Sequence, residues 1–347
     1  MSVRRELSRS ERRRRRQRRR LIPLVVLGVA IIGTLAWTLF GSRTNSSALS
    51  GTRNTVATTT TTTTAPEKPP TLKLAVAPTL KNEGRWISKD MWHAGVPLVF
   101  TSFFHTSANN PDSIAYATWI RSSKTRLGLY LGYEGPGPSS RSRGPEMVPV
   151  TGRRNLLATF NSGFYEKDSS EGFYTHNVLY FPMIKGHATL VEYTDGTIDI
   201  INWTGAARPG ANIVMARQNL HLLLNNSLIN PATANGSQWG VTLHGVPAVW
   251  RTAVGVDVHG NLMYLAAPSQ TAVSLAHALL RIGAVRAMQL DINPEWPIFV
   301  TYTHPGAGGP RLFVPNPNQV PGRFLYTSTK DFFAVYIRVP GQLQTPW

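Results

Sequence analysis

The sequence predicts an α+β (mixed α/β), sheet-dominated single outer domain that follows one transmembrane helix. Three observations lead to this fold class. Short runs of β-branched and aromatic residues recur from residue 98 onward, one amphipathic segment occupies residues 274–282, and residues 21–40 contain no charged residue. The chain has 347 residues, and its 72–347 portion is long enough to form one hydrophobic core.

The N-terminal segment combines a dense positive charge with an apolar span. Residues 1–20 contain eleven arginines and two glutamates, a charge of +9 out of the +18 of the whole chain. The uncharged run that follows is long enough to cross a bilayer at about 1.5 Å per residue. Basic residues beside such a span mark its cytoplasmic end. We therefore predict a cytoplasmic tail at 1–20 and a transmembrane helix at 21–41, in a single-pass protein of the cell membrane with its domain outside.

Two other interpretations of this segment compete with a membrane anchor. An arginine run is also typical of an arm that binds nucleic acid, but its position directly beside an apolar span favours membrane orientation, and no nucleic-acid partner is predicted. A cleaved signal peptide would use Ser46 and Ala48 as its small-residue site. Because the apolar region is longer than the roughly 7–15 residues of such peptides, an uncleaved anchor is favoured.

Residues 42–71 form a predicted linker. They are rich in Ser, Thr, Asn and Pro, with an unbroken threonine run at 58–64 followed by APEKPP. Such a segment buries too little apolar surface to offset its ordering entropy. The extracytoplasmic domain is then predicted at 72–347. The chain has no cysteine, and an exported domain without disulfides indicates a bacterial cell envelope.

Short strands are predicted through most of this domain. Two hairpins have the clearest signal, because residues 188–202 turn at Asp195-Gly196 and residues 252–266 turn at His259-Gly260. Further strands are predicted at residues 98–104, 116–120, 126–132, 156–161 and 178–181.

One helix is predicted, and the sequence indicates both its apolar face and its end. Residues 274–282 place four apolar side chains at helical spacing, and Gly283 can close the helix in the left-handed conformation. A strand at 285–290 follows, which gives a strand-helix-strand unit near 261–291. Such a crossover should be right-handed if its strands are parallel in one sheet. The four apolar residues are Leu275, Ala278, Leu279 and Ile282.

Two acidic residues at the end of that unit are the principal site candidates. Asp291 stands at the carboxyl end of the predicted strand, where open α/β sheets place their sites, and Glu295 follows an Asn-Pro pair. Apolar neighbours predict that both carboxylates are partly buried, which is costly unless they are paired or used. The alternative is that Asp291 only caps a turn. The segment lacks the Gly and Glu of a calcium loop, so no metal is predicted.

Four quoted segments carry a family resemblance. LLATFNSGFY (156–165), WRTAVGVDVHGNLMYL (250–265) and SLAHALLRIGAVRAMQLD (274–291) resemble, in order and spacing, three blocks of the phosphodiester glycosidase family, and DFFAVYIR (331–338) resembles its last strand. Where the family has Leu-Asp-Gly-Gly-Gly-Ser, this chain reads LDINPEW, so bulkier residues replace the glycine-rich backbone. The positions that match the family's motifs are Asn161, Gly163, Phe164, Arg251 and Asp291.

The resemblance implies a hydrolase of glycosyl 1-phosphodiester linkages in envelope glycopolymers. The leaving group of such a substrate is a phosphate monoester, so a strong general acid is less needed than in ordinary glycosidases. Asp291 suits the stabilisation of oxocarbenium-like charge, and Glu295 suits the activation of water. Arg251 and Arg217 are candidates to grip the phosphate, although both are also consistent with surface positions on strands.

The remaining candidates concern the sugar. Asn161 and Asn219 could bond to sugar hydroxyls, and Trp296 or Tyr165 could stack on a pyranose ring. Gly163 is assigned to substrate binding with the block that contains it. The predicted partner is therefore a carbohydrate or sugar-phosphate polymer, with no cofactor. A non-catalytic glycan-binding protein, or one for exopolysaccharide or cell-wall assembly on the same fold, is the alternative.

Overall fold

The computed structural model describes residues 68–89, 91–135, 144–169, 171–240, 245–303 and 308–342. The described residues form one compact unit. Within the described ranges, no helix combines the length and the apolar character needed to cross a bilayer. The predicted tail, the predicted span at 21–41 and most of the predicted linker lie outside those ranges.

Strands dominate the described residues, together with two α-helices, α1 (Glu166–Ser169) and α2 (Ala272–Arg281). In chain order the strands are β1 (Trp92–His93), β2 (Val96–Pro97), β3 (Val99–His105), β4 (Ile114–Ile120), β5 (Thr125–Tyr130), β6 (Leu156–Asn161), β7 (Phe173–Thr175), β8 (Val178–Phe181), β9 (Ala188–Tyr193), β10 (Ile198–Asn202), β11 (Ile213–Gln218), β12 (Leu222–Asn225), β13 (Leu228–Ile229), β14 (Val249–Val256), β15 (Leu262–Gln270), β16 (Arg286–Gln289), β17 (Phe299–Thr303), β18 (Gly308–Leu312) and β19 (Phe332–Ile337).

Three sheets share these strands, beside the small β1-β2 hairpin. The largest has seven strands in the order β13-β12-β16-β14-β15-β4-β3. The two five-stranded sheets have the orders β10-β9-β11-β7-β8 and β18-β17-β6-β19-β5. The sheet-dominated mixed fold predicted from the sequence is confirmed. The segment 72–155, which the family blocks do not reach, supplies β3 and β4 to the edge of the large sheet and β5 to the third sheet.

Both predicted hairpins are confirmed. β9 pairs antiparallel with β10, and Gly196 in their turn has a φ of +82°. β14 pairs antiparallel with β15, and Gly260 in that turn has a φ of +79°. A positive φ is a conformation in which glycine is favoured over other residues.

Helix α2 begins two residues earlier than predicted because its N-cap lies at Thr271. The Thr271 side chain accepts a hydrogen bond from the Ser274 amide at 3.2 Å, and the Ser274 hydroxyl accepts one from the Thr271 amide at 3.0 Å. This reciprocal capping box satisfies two amides at the helix start. Gly283, with a φ of +94°, follows the helix as predicted.

The strand-helix-strand unit carries the chain to the site. β15 and β16 both pair antiparallel with β14, which lies between them, so they are parallel to each other without being neighbours. Alternate residues of the large sheet belong to two cores. Val254 and Met288 pack into the core that draws on all three sheets, and Ala253 and Ala287 pack beneath helix α2. Asp291 follows β16 at its carboxyl end.

Candidate active site

Asp291 is buried where the chain leaves β16, with only 3% of its surface exposed. Its Oδ2 pairs with the ammonium of Lys330, and its Oδ1 accepts a hydrogen bond from the Asn293 amide at 2.8 Å. Its carbonyl accepts bonds from the Thr252 amide and hydroxyl at 3.1 and 2.8 Å. Burial raises the pKa of the Asp291 carboxyl, although the charge of Lys330 opposes this. The protein therefore holds an acidic group in an apolar setting with one cation as its partner.

Lys330 lies two residues before β19, in contact with two aromatic rings. Its ammonium nitrogen lies 4.2 Å from the ring centroid of Tyr165 and 5.5 Å from that of Trp296. The two rings meet edge to face, with centroids 5.9 Å apart and planes at 83°. A cation above aromatic faces is attracted by their negative charge. Asp291, Tyr165 and Trp296 thus form a cage around the Lys330 ammonium, which we call the lysine cage.

A second cation lies beside the same tryptophan. The guanidinium carbon of Arg323 is 5.0 Å from the Trp296 ring centroid, and its Nη2 donates to the Thr329 hydroxyl at 3.1 Å. Burial lowers the pKa of Arg323 below its ordinary value. Burial also raises the pKa of Tyr165 to about 12, so its phenol keeps its proton at neutral pH. Two positive groups and a neutral phenol therefore surround the half-buried Trp296.

The segment that carries Lys330 is fixed by a close approach to the loop after β5. A Cβ on Gly132 would lie 2.3 Å from the Thr329 carbonyl oxygen and 2.4 Å from the Lys330 Cα. The Tyr133 and Glu134 amides donate to the carbonyls of Ser328 and Thr329, at 2.9 and 3.1 Å. No side chain fits between these backbones, which explains the glycine.

Asn161 and Asn219 brace the turn that follows β6. The side-chain nitrogen of Asn161 donates to the Ser162 carbonyl and the Thr252 hydroxyl, and its side-chain oxygen accepts from the Tyr264 hydroxyl at 2.9 Å. The Ile298 amide donates to the same oxygen. Both polar atoms of the Asn161 side chain therefore bond to protein groups. Its role toward a sugar stays a prediction.

Asn219 connects that turn to β16. Its oxygen accepts from the Phe164 amide at 2.9 Å, and its nitrogen donates to the carbonyls of Gln289 and Leu290 at 2.9 and 3.3 Å. A Cβ on Gly163 would lie 2.7 Å from the Asn219 oxygen. The contact explains why glycine stands at position 163, and it places Tyr165 two residues further on.

The two predicted phosphate-binding arginines are buried, so their alternative placement on the strand surface is wrong. Arg217 donates to the Asp331 carboxylate at 3.0 Å and to the Phe164 carbonyl at 2.6 Å. Arg251 donates to the Gln270 carbonyl at 2.8 Å and to the Gln289 side-chain oxygen at 2.6 Å. Their guanidinium groups thus bond to protein acceptors. Lys330 and Arg323, rather than these two, are the cations beside Trp296.

Glu295 departs from the prediction of partial burial, because its side chain is exposed. The turn explains this outcome. The Asn293 side chain accepts from the Glu295 amide at 3.0 Å, and Asn316 donates to the carbonyls of Pro294 and Pro297 at 2.9 and 3.0 Å. These bonds fix the backbone of the turn and leave the Glu295 carboxylate toward solvent.

Sequence reasoning missed Lys330, Asp331 and Arg323. A usable signal exists in STKDFFAVYI, where a Lys-Asp pair directly precedes the apolar last strand. Charged residues at the start of a buried strand are expected to be paired or used. Within the described ranges, no three His, Asp or Glu side chains are placed to hold a metal ion. The roles of all nine predicted site residues remain predictions.

Comparison with known proteins gives structural similarity alone. No family model matches the chain, and a search of curated proteins finds no match. The catalytic domain of zebrafish N-acetylglucosamine-1-phosphodiester alpha-N-acetylglucosaminidase, auto-inhibited by its pro-peptide, is similar with a TM-score of 0.47 and 18% identity, over 73% of this chain and 87% of that one. A hypothetical protein from Synechocystis has a TM-score of 0.39 and 10% identity, over 71% and 63%. The resemblance of folds is distant.

Proposed function

We propose that this chain is a hydrolase of glycosyl 1-phosphodiester linkages. The observation that carries the proposal is the buried Asp291 carboxylate, paired with Lys330 inside the lysine cage. A buried carboxyl of raised pKa with one defined partner is typical of catalytic sites. The motif resemblance in the sequence supports the same reaction.

The chemistry assigns a role to each charged group. Water adds to the anomeric carbon while the bond from that carbon to the phosphate oxygen breaks, and the phosphate monoester leaves with the bonding electron pair. Asp291 stabilises the positive charge that develops on the sugar ring. Glu295, whose exposed carboxylate has no side-chain partner among the described residues, accepts the proton of the water.

Phosphate recognition belongs to Lys330 and Arg323 in this proposal. Both cations lie within 5.5 Å of the Trp296 ring centroid. A phosphate drawn to Lys330 competes with Asp291 for its ammonium. Substrate binding then frees the carboxylate to face the sugar, which couples binding of the phosphate to activation of Asp291.

The cellular setting is proposed from the sequence. The arginine-rich tail and the uncharged span at 21–41 support a membrane anchor with the domain outside the cell. A domain tethered in this way meets envelope glycopolymers, which contain sugar-phosphate linkages of the required class.

A glycan-binding protein without turnover is the second candidate. Two observations favour it. The LDINPEW turn lacks the glycine-rich backbone that a phosphate could approach closely, and Lys330 holds Asp291 in an ion pair. The same aromatic rings and cations would then retain a sugar phosphate without breaking its bond.

The test uses the full chain in detergent with a panel of glycosyl 1-phosphodiesters, and it follows the release of phosphate monoester. We expect release by the wild type and a loss of about 100-fold or more in Asp291→Asn, the range seen when a transition-state stabiliser is removed. Asp112→Asn, the same change at an exposed position, should leave the rate unchanged. Saturable binding without release would support the glycan-binding candidate instead.

A further inference from the structure

Two histidines lie side by side away from the lysine cage. His187 directly precedes β9 and His221 directly precedes β12, and the Ala188 amide donates to the Leu220 carbonyl at 2.9 Å. This bond aligns the two segments. The imidazole centroids are 5.0 Å apart, with ring planes at 56°. The side chain of His187 is 23% exposed, and His221 is exposed.

In both rings the protein engages the same nitrogen, Nδ1. His187 Nδ1 lies 2.7 Å from the Glu171 Oε1, and His221 Nδ1 lies 3.1 Å from the Gly186 carbonyl oxygen. An ionised carboxylate and a carbonyl only accept hydrogen bonds, so each Nδ1 must carry the hydrogen. In the neutral imidazole the lone pair then resides on Nε2. Nε2 is therefore the ring nitrogen that each histidine offers to a metal ion.

Glu171 contacts both of the segments that carry these histidines. It is 3% exposed, and its Oε1 also accepts from the Leu220 amide at 2.5 Å. Its Oε2 is buried without a hydrogen-bond partner within the described ranges. A carboxylate that holds the far nitrogen of a histidine fixes the ring and strengthens it as a metal ligand.

We propose that His187 and His221 bind one divalent transition-metal ion, of the class of Zn²⁺, Ni²⁺ or Cu²⁺, through their Nε2 atoms. Imidazole is a preferred ligand of these ions, whereas Mg²⁺ and Ca²⁺ require oxygen ligands. With metal–nitrogen bonds of about 2 Å, two imidazoles on one ion have centroids roughly 5 Å apart. The observed separation of 5.0 Å fits this spacing.

Water completes the coordination of the ion. In the part of the chain that the structure describes, no third His, Asp or Glu is placed to join a metal cluster. A site with two protein ligands keeps open positions, and it binds reversibly. The ion would join the start of β9 to the start of β12, and it would stabilise the folded domain in proportion to its concentration.

Calorimetric titration of the full chain in detergent tests the site, with Ni²⁺ and Zn²⁺ as probes and Mg²⁺ as the negative control. The protein should be purified with a tag that lacks histidine, and residues 1–67 contain none. We expect one saturable site for the transition metals and none for Mg²⁺. His221→Gln should weaken binding at least ten-fold, and His277→Gln, at an exposed single histidine on α2, should leave it unchanged.

Glu171→Gln separates a supported metal site from a chance histidine pair. The side-chain oxygen of the glutamine can still accept from both the Leu220 amide and His187 Nδ1, because both bonds use the Oε1 position, but the negative charge that strengthens His187 as a ligand is lost. We expect metal affinity to fall by about 10- to 100-fold, as for other second-layer partners of metal ligands. Nitrogen-detected spectra of the His187 ring should show the hydrogen on Nδ1 in the wild type. Absence of a saturable site, or equal affinity in His221→Gln, would overturn the proposal.

Discussion

At the residue scale, the cost of charge burial governs the candidate site. Asp291 and Lys330 are 3% and 2% exposed, so each is the partner that makes the burial of the other tolerable. The same pairing sets the pKa of Asp291, because burial raises it and the ammonium opposes the rise. Removal of either charge should therefore affect both stability and reactivity.

Lys330→Met tests that pairing directly. The change leaves the Asp291 carboxylate buried without a cation, and breaking a buried ion pair in this way costs about 3 kcal/mol or more. Urea unfolding should show a loss of this size, with part of it recovered in the Asp291→Asn/Lys330→Met double variant. Lys81→Met, at an exposed lysine, is the matched control and should cost almost nothing. Equal stability of the two lysine variants would contradict a buried pair.

Gly163→Ala tests the brace between the turn after β6 and the end of β16. The new Cβ would lie 2.7 Å from the Asn219 oxygen, so Asn219 must move away from the Phe164 amide. We expect a loss of about 1–3 kcal/mol in the free energy of unfolding, the usual cost of overpacking. Gly236→Ala, with open space around its Cβ and no positive φ, serves as the control. If the two alanine variants had the same free energy of unfolding, the turn would accommodate the added Cβ at no cost, which would contradict the brace.

The sequence was sufficient to place Asp291 at the end of its strand, but insufficient to describe its surroundings. The apolar run before Asp291 predicts a buried strand from neighbouring residues alone, and β16 lies there in the structure. Lys330 lies 39 positions further along the chain, so no periodicity or spacing links it to Asp291. Glu295 shows the converse limit, because its apolar neighbours in sequence face the protein while its own side chain faces solvent.

At the element scale, helix α2 combines a local start signal with a packing role. Its capping box at Thr271 satisfies the first turn, and its apolar face covers the large sheet through Leu275, Ala278 and Leu279. A helix of this length depends on such tertiary packing more than on its intrinsic propensity. Because β16 follows the helix, the position of Asp291 depends on where the helix starts and ends.

Thr271→Ala should destabilise the domain by about 1 kcal/mol, since it removes the side chain that accepts from the Ser274 amide. Thr271→Ser retains the hydroxyl and should keep most of that free energy. Thermal or urea unfolding of the two variants measures the difference. Identical unfolding midpoints would mean that the capping bond contributes nothing.

Elements with strong local sequence patterns were predictable, but the strands that pair with them in the sheets were not. The predicted bounds of β6 and β8 agree with the structure, and both hairpins turn at the expected glycines. The order of strands in the sheets depends on pairings distant in sequence, such as β6 with β19. Such pairings leave no periodic trace in one segment.

At the scale of the whole molecule, one ion pair joins two sheets through their shared core. Glu192 on β9 accepts from Arg126 Nη1 at 3.2 Å and from the Leu127 amide at 3.3 Å, both on β5. Burial raises the pKa of Glu192 to about 7, more than the charge of Arg126 lowers it. The folded protein therefore takes up a proton here that the unfolded chain releases near pH 4.5.

The raised pKa of Glu192 makes the free energy of unfolding depend on pH. Because the folded state binds the additional proton, its stability falls as the pH rises from about 4.5 to about 7. One proton contributes a slope of up to about 1.4 kcal/mol per pH unit. Urea unfolding across this window should show that slope in the wild type and a smaller one in Glu192→Gln. The same change at exposed Glu295 should leave the slope as it is, and an unchanged slope in Glu192→Gln would contradict the buried acid.

Hydrolysis in ¹⁸O-labelled water shows which bond of the substrate breaks, and so tests the proposed role of Asp291. It uses the full chain and the panel of glycosyl 1-phosphodiesters, and it locates the label by mass spectrometry. If Asp291 stabilises charge on the sugar while the carbon–oxygen bond breaks, the label should appear in the released sugar, and the phosphate monoester should carry none. Label in the phosphate, or no release of the monoester at all, would contradict a glycosidase centred on Asp291 and Lys330.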